Sequence, residues 1–287
     1  MPVPLWLIYP FAALFGAVWG SFLNVVVIRL PRGESVVFPA SHCIACSAPI
    51  KAYDNVPVLS YLLLRGRCRH CGARFSARYA AIEALGGAAA VAVVATFGPS
   101  FAAFGFFVFL WLLIGIAAID LKHWIIPHEL SWSGIALGLL FSAWNPRSTL
   151  RSSVVGAAAA FVIFTILSWL GERIFKKEAL GLGDRWLLAM EGAFLGAGAL
   201  LPIVFLASLQ GSVVGLGLIA FGKAQTGEQA SAPPDGTGAT TEDTDGWVPP
   251  KNAIPFGPFL ALGAVEWLFF GPDAWGWYQA QLLRALG

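Results

Sequence analysis

An all-α, polytopic membrane fold carrying a small cytoplasmic zinc-ribbon-like domain is predicted by three features of this sequence. These are its composition, the length of its uncharged runs and the placement of its four cysteines. Of 287 residues 57% are hydrophobic and only 12% charged, and the mean hydropathy is +0.72. Soluble globular domains do not reach this balance, so a soluble enzyme or binding module is excluded.

Apolar runs of spanning length, roughly 17–25 residues, fall at about 4–26, 80–97, 100–119, 129–145, 153–171, 185–202, 203–222 and 254–271. About eight transmembrane helices are therefore expected. The first run has no basic segment before it and no small-residue cleavage site, and it continues into Ile28, Arg29, Leu30, Pro31 and Arg32. It reads as a retained helix and not as a removed signal peptide.

Basic residues set the orientation. Arg29, Arg32, Lys51, Arg65, Arg67, Arg69, Arg74 and Arg78 lie between the first two runs. Lys122, Arg173, Lys176, Lys177, Arg185, Lys223 and Lys251 fall in later loops of the same side, leaving only Arg147, Arg151 and Arg284 for the other. The positive-inside rule then places the N-terminus outside, and Asp120 and Asp184 together at the cytoplasmic face.

Five regions follow: a first transmembrane helix over 1–30, a cytoplasmic zinc-binding domain over 31–79, a transmembrane core over 80–223, an acidic linker over 224–250, and a last helix with an outer aromatic anchor over 251–287. The linker is rich in Gly, Ser, Thr and Pro with Glu228, Asp235, Glu242, Asp243 and Asp245, a composition that cannot bury enough apolar surface to order itself. Trp275, Trp277 and Tyr278 suit a membrane interface.

All the cysteines lie in the 31–79 loop, as Cys43-Ile44-Ala45-Cys46 and Cys68-Arg69-His70-Cys71. Two Cys-x-x-Cys pairs at this separation match the tetrahedral thiolate site of a structural zinc. Two disulfides are the alternative, disfavoured by the reducing cytoplasm. A loop of this size also needs a staple, and four thiolates leave no open position for catalysis at the metal. His42 and His70 adjoin the pairs as spectators.

Ionisable residues inside apolar runs are costly and point to chemistry. Asp120 closes the third run before Ile125, Ile126 and Pro127, and Asp184 opens the sixth after Gly181, Leu182 and Gly183. Two acids at equivalent depth on two helix ends can share one proton, one acting as base toward water while the other polarises a carbonyl. A helix cap explains Asp184 alone comparably well. There is no Gly-x-Ser-x-Gly, and Trp132 stands where a zinc-protease helix needs its second histidine.

These blocks resemble the type IV prepilin peptidases, membrane aspartyl proteases with a Gly-x-Gly-Asp motif. The resemblance runs from Gly20 to about Ala264. It includes Gly20 to Val26 before Arg29-Leu30-Pro31, the cysteine pairs, and Asp54 to Tyr61 before Leu64 to Cys68. Further blocks are Arg78-Tyr79 before Glu83, Asp120 before Ile126-Pro127, Gly181 to Asp184 before Gly192 to Gly196, and Ile254 to Leu260.

The resemblance implies catalytic Asp120 and Asp184, with Gly181, Gly183 and Glu83 as supporting candidates; Glu191, in a usually apolar position, joins them by helical spacing alone and can equally be a lone buried acid, protonated or paired with another helix. It implies cleavage of prepilin or pseudopilin leaders at the inner membrane's cytoplasmic face. Methylation of the new N-terminus from S-adenosylmethionine would follow, with the zinc domain serving that half. The bilayer and the prepilins are the expected partners, and no nucleic acid is expected. Alternatives are a peptidase without methylation and a non-enzymatic zinc-bearing scaffold.

Departures from the family pattern sit near the second acid. Trp186 replaces a usual lysine, with Arg185 beside it, and His128 replaces an acid or amide. Glu191 shares a helical face with Asp184, about 10 Å deeper. Glu83 can face the site or pair with Arg78.

Overall fold

A computed structural model describes residues 4–175, 181–220 and 254–286. The linker expected over 224–250, and with it Lys176, Lys177, Lys223 and Lys251, lies outside the described residues. The described residues are helical throughout, joined by turns and two isolated β-bridges, and contain no strand.

Helix α1 (Leu5–Arg29) leads into a loop holding the short α2 (Leu59–Leu63), after which α3 (Ala77–Phe97) returns antiparallel to α1. Small residues let these two backbones touch. A Cβ on Gly16 would meet the carbonyl of Gly86, and one on Gly20 would lie 2.8 Å from Cα of Glu83. Such seams replace the hydrophobic drive that helices lack inside a bilayer. Ser76 caps α3 by accepting from Arg78 N.

Helix α4 (Phe101–His123) is capped by Ser100, which accepts from Ala103 N, and it supplies much of the core. It runs parallel to α1 through Phe15 on Phe107 and Trp19 on Trp111, the indole of Trp111 donating to the Trp19 carbonyl at 2.8 Å. Helix α5 (His128–Phe141) follows a turn ending in Pro127, whose fixed φ suits the position just before a helix.

Helix α6 (Leu150–Phe175) packs on α7 (Asp184–Leu195) where Gly156 meets Gly192, a Cβ on the latter falling 2.6 Å from the Gly156 carbonyl carbon. Every α7 residue from Leu187 to Leu195 is buried. Helix α8 (Leu200–Ala220) and α9 (Gly257–Leu286) complete the bundle, joined across their middles by Gln210 Nε2 donating to Glu266 at 2.6 Å.

Each expected apolar run thus has its helix, but among the described residues five helical segments are long and apolar enough to cross a membrane. These are Trp6–Arg32, Ala77–Phe97, Phe101–His123, Leu150–Ile174 and Ala197–Ala220. Helices α5 and α7, at 14 and 12 residues, fall short. The sixth run, expected to continue to 202, stops at Gly196. There φ is +82°, and any Cβ would lie 2.5 Å from Oγ of Ser148 and 2.6 Å from Oγ of Ser152. The last helix passes through Pro272 without ending, so Trp275, Trp277 and Tyr278 are helical and exposed.

Candidate active site

Asp120 occupies the last turn of α4 and Asp184 the first residue of α7, and both carboxylates are buried. The chain is brought back between them by a tight reversal. Trp124 caps α4 with φ +59°, its amide donating to the Asp120 carbonyl, and Ile125, Ile126 and Pro127 then lead into α5.

Ile126 is the wedge of this reversal. A Cβ on Gly183 would lie 2.7 Å from Cβ of Ile126, and one on Gly257 would lie 3.2 Å from its Cδ1. The two glycines therefore let α7 and α9 close on the same side chain. At that junction the amide of Gly257 donates to Oδ2 of Asp120 at 3.1 Å. Ile126 thus joins the end of α4 that carries Asp120 to the start of α7 that carries Asp184.

Asp184 is not a side-chain cap: Gly183 holds the cap position, with no side-chain hydrogen bond there. Gly181 lies against the carboxylate, a Cβ there falling 3.0 Å from Oδ2 of Asp184. Glu191 shares the Asp184 face, is fully buried, and neither of its oxygens has a hydrogen-bond partner. Glu83 accepts the amide of Val58 at 2.6 Å, so it binds the loop and does not pair with Arg78.

Arg185 turns from the acids onto rings, its guanidinium 5.4 Å from the Phe161 centroid and 6.0 Å from that of Trp186. His128 stacks on Trp132, and Trp132 meets Trp186 edge-on. Neither Gly257 nor Ile126 is marked as a site residue by sequence pattern. Both lie inside blocks that carry the resemblance, Ile126-Pro127 and Ile254 to Leu260, but a block fixes no contact.

The four thiols lie free, with all their sulfur atoms within 4.8 Å of one another. Cys43 Sγ and Cys71 Sγ are 3.8 Å apart, which is about the edge of a tetrahedron whose centre-to-sulfur distance is about 2.3 Å, the Zn–S bond length. The donor set and its spacing fit a four-coordinate zinc.

The backbone makes each pair a matching knuckle. Cys43 N donates to the Ala48 carbonyl and Cys68 N to that of Ala73, while Ser47 and Gly72 turn back at positive φ. Backbone amides of Cys71 and His70 hold the Cys68 thiol down to about 7, while burial and the neighbouring thiols push that of Cys46 up to about 12. His42 bonds the Ala40 carbonyl and, like His70, stays outside the cluster. Beside it Arg69 grips Asp54 in a two-pronged ion pair, at 2.6 Å from Nη2 and 2.9 Å from Nε, and holds that carboxyl below its usual range.

Two family models match the chain: the bacterial peptidase A24 N-terminal domain over residues 14–97 and the type IV leader peptidase family over residues 107–216. A prepilin leader peptidase/N-methyltransferase of Myxococcus xanthus is 36% identical, across 94% of this chain and 91% of its own length. The chain belongs to the type IV leader peptidase family. Other family members of the same name, from Burkholderia pseudomallei and Aeromonas hydrophila, are 35% and 33% identical. They are matched over 91% and 97% of this chain, and over 85% and 96% of their own lengths. No solved structure matches the chain at a meaningful level. Within the family model over 107–216 fall both acids, and the four cysteines fall within the N-terminal one.

Proposed function

We propose that this protein removes the leader peptides of type IV prepilins or pseudopilins by aspartyl proteolysis and N-methylates the residue it exposes. The observation that carries the reading is that the helix ends bearing buried Asp120 and Asp184 close on one side chain, Ile126, with Gly183 against its Cβ and Gly257 against its Cδ1. Membership of the family supports it, as do relatives bearing both activities in their name.

In this mechanism the ionised partner of the pair takes a proton from a water held between the carboxylates, and the hydroxide attacks the scissile carbonyl. The protonated partner donates to the carbonyl oxygen. As the tetrahedral intermediate collapses, the amine leaves with the proton first taken from water, and the pair is restored. The Gly257 amide fixes Asp120 in orientation, Gly183 admits Ile126, and Gly181 leaves room beside Asp184 for an extended backbone.

The finer picture is a multi-pass protein of the bacterial inner membrane with eight helices in the bilayer and its N-terminus outside. The cysteine loop and both acids then face the cytoplasm, as the distribution of basic residues supports. Cys43, Cys46, Cys68 and Cys71 would hold a structural zinc, which supplies folding energy to a loop with little core of its own. S-adenosylmethionine would be the methyl donor, consumed as a co-substrate.

The test uses purified protein in lipid with a prepilin. Asp120→Asn and Asp184→Asn are each expected to lower cleavage by at least about 10²-fold, the scale of a lost general acid or base. Methylation of a pilin cleaved beforehand is expected to persist in both. Cleavage at the parent rate in either variant overturns the assignment of the pair, and a cleaved but unmethylated product from the parent protein overturns the second activity.

A further inference from the structure

The loop between α1 and α3 presents an apolar edge that zinc binding and proteolysis leave unexplained. Leu59, Leu62 and Leu63 on α2 are 52%, 64% and 74% exposed. Three adjoining leucines on a five-residue helix are an unusual display for a segment in water.

Their depth follows from hydrogen bonds and ring contacts. Asn24 Nδ2 donates to the Tyr79 carbonyl, and Gly20 lies on Glu83, which fixes the register of α1 against α3. The amide of Val58, the residue before α2, donates to the Glu83 carboxylate. Side chains on a helix tilt toward its N-terminus, so Val58 sits between the level of Gly20 and that of Asn24.

Asn24 is only about 27 Å along α1 from Trp6, within the roughly 30 Å of a hydrocarbon core. The contacts of Phe15 with Phe107, Trp19 with Trp111 and Leu23 with Gly115 set α4 against α1. Continued, that register brings Asp120 level with Ile28. The start of α2 therefore lies on the membrane side of Asp120.

The backbone is forced into this position. Val58 has φ +61°, a conformation costly for a β-branched residue, and its turn is closed by Leu59 N donating to the Pro57 carbonyl at 2.6 Å. Glu83 holds the turn from α3. Immediately after α2 come Arg65 and Arg67, both exposed, where cations following an apolar segment meet anionic headgroups.

We propose that α2 is a re-entrant lipid anchor, with Leu59, Leu62 and Leu63 immersed in the acyl chains of the leaflet at the aspartate end of the bundle and Arg65 and Arg67 on its anionic headgroups. The anchor holds the cysteine loop against the membrane beside the acids. It is independent of the proteolytic reading, since it concerns only where α2 lies.

The test places a photo-crosslinking benzoylphenylalanine at Leu62 or Leu63 of the full chain, in nanodiscs of equal phosphatidylethanolamine and phosphatidylglycerol. A probe at Phe205, 67% exposed on α8, is the positive control. Retained zinc content and prepilin cleavage report that each probe-bearing protein is folded. Mass spectrometry is expected to find phospholipid adducts at 62 and 63 at yields within about threefold of those at 205. At 62 and 63, phosphatidylglycerol is expected to be enriched at least about twofold, the enrichment disappearing with Arg65→Ala and Arg67→Ala together. Adducts at 205 with none at 62 or 63, or crosslinks there to protein instead of lipid, overturn the anchor. Lipid adducts without enrichment overturn the role of the arginines.

Discussion

The amide of Gly257 donates to Oδ2 of Asp120 over 3.1 Å, tying the first turn of α9 to the last turn of α4 across 137 residues of sequence. A methyl group at residue 257 would come within 2.5 Å of that same oxygen and 3.2 Å of Cδ1 of Ile126. Gly257→Ala is therefore expected to displace the carboxylate while leaving the bundle folded. Misplacement of a reacting group by about 1 Å costs on the order of 10²-fold. Cleavage kinetics should show a fall in kcat of that order, with the thermal unfolding profile little changed.

Glu191 is buried with no hydrogen-bond partner for either oxygen, an arrangement that costs free energy. Glu191→Leu is expected to raise Tm by about 2–4 °C, the shift given by roughly 1 kcal/mol in a protein of this size. Differential scanning calorimetry in detergent reads the change. A lower Tm would show that the carboxylate is satisfied, by water or otherwise, in the working protein.

Removing the metal should act on the loop and spare the bundle. Structural zinc contributes about 10–16 kcal/mol to small zinc-dependent folds, whereas the transmembrane helices hold together through their own packing. Cys46→Ser or a strong chelator is expected to lower zinc content from one per chain to near zero. Trypsin should then cut at Arg65, Arg67, Arg69 or Arg74 at least about tenfold faster, while α4 to α7 stay protected.

The Asp54 and Arg69 pair makes a pH prediction. Its hydrogen bonds and charge hold Asp54 below the ordinary value of 3.8 in the folded loop. A depressed folded-state value means that the pair stabilises the loop above pH 3.8 and that this contribution is lost as pH falls through the folded value. Hydrogen exchange across 51–71 should therefore be slower in the parent than in Asp54→Asn at pH 6, and the difference should shrink below pH 3.8.

Much of this architecture was legible in the sequence because each signal was local. Each of the eight apolar runs gave a helix, five segments among the described residues being long and apolar enough to span, and the cysteine pairs came together because their spacing is itself the knuckle. Asp120 and Asp184 stood out because a carboxylate is expensive in an apolar run wherever that run packs. Lengths were less legible. The sixth run broke at Gly196, since apolarity continues through a residue whose positive φ and crowding by Ser148 and Ser152 end the helix.

Residues whose function is a contact could not be read in advance. Ile126 stands in a block that carries the resemblance, but nothing in that block shows that Gly183 and Gly257 close on it. Glu83 offered pairing with Arg78 as readily as any other bond, and its partner proved to be a backbone amide 25 residues away. Arg185, adjoining Asp184 in sequence, points to Phe161 and Trp186 instead.

The order of residues was enough to give the apolar surroundings of the helices, the helical class, the thiol cluster and the two expensive acids. Composition and spacing act through the chain's immediate neighbourhood, and that neighbourhood is written in order. What folding added is that the end of α4 and the starts of α7 and α9 close on Ile126, that Gly257 orients Asp120, and that Val58 before α2 is held by Glu83 of α3. Those are relations between helix ends far apart in the chain, set by which glycines let backbones approach and by the register in which α1, α3 and α4 pack.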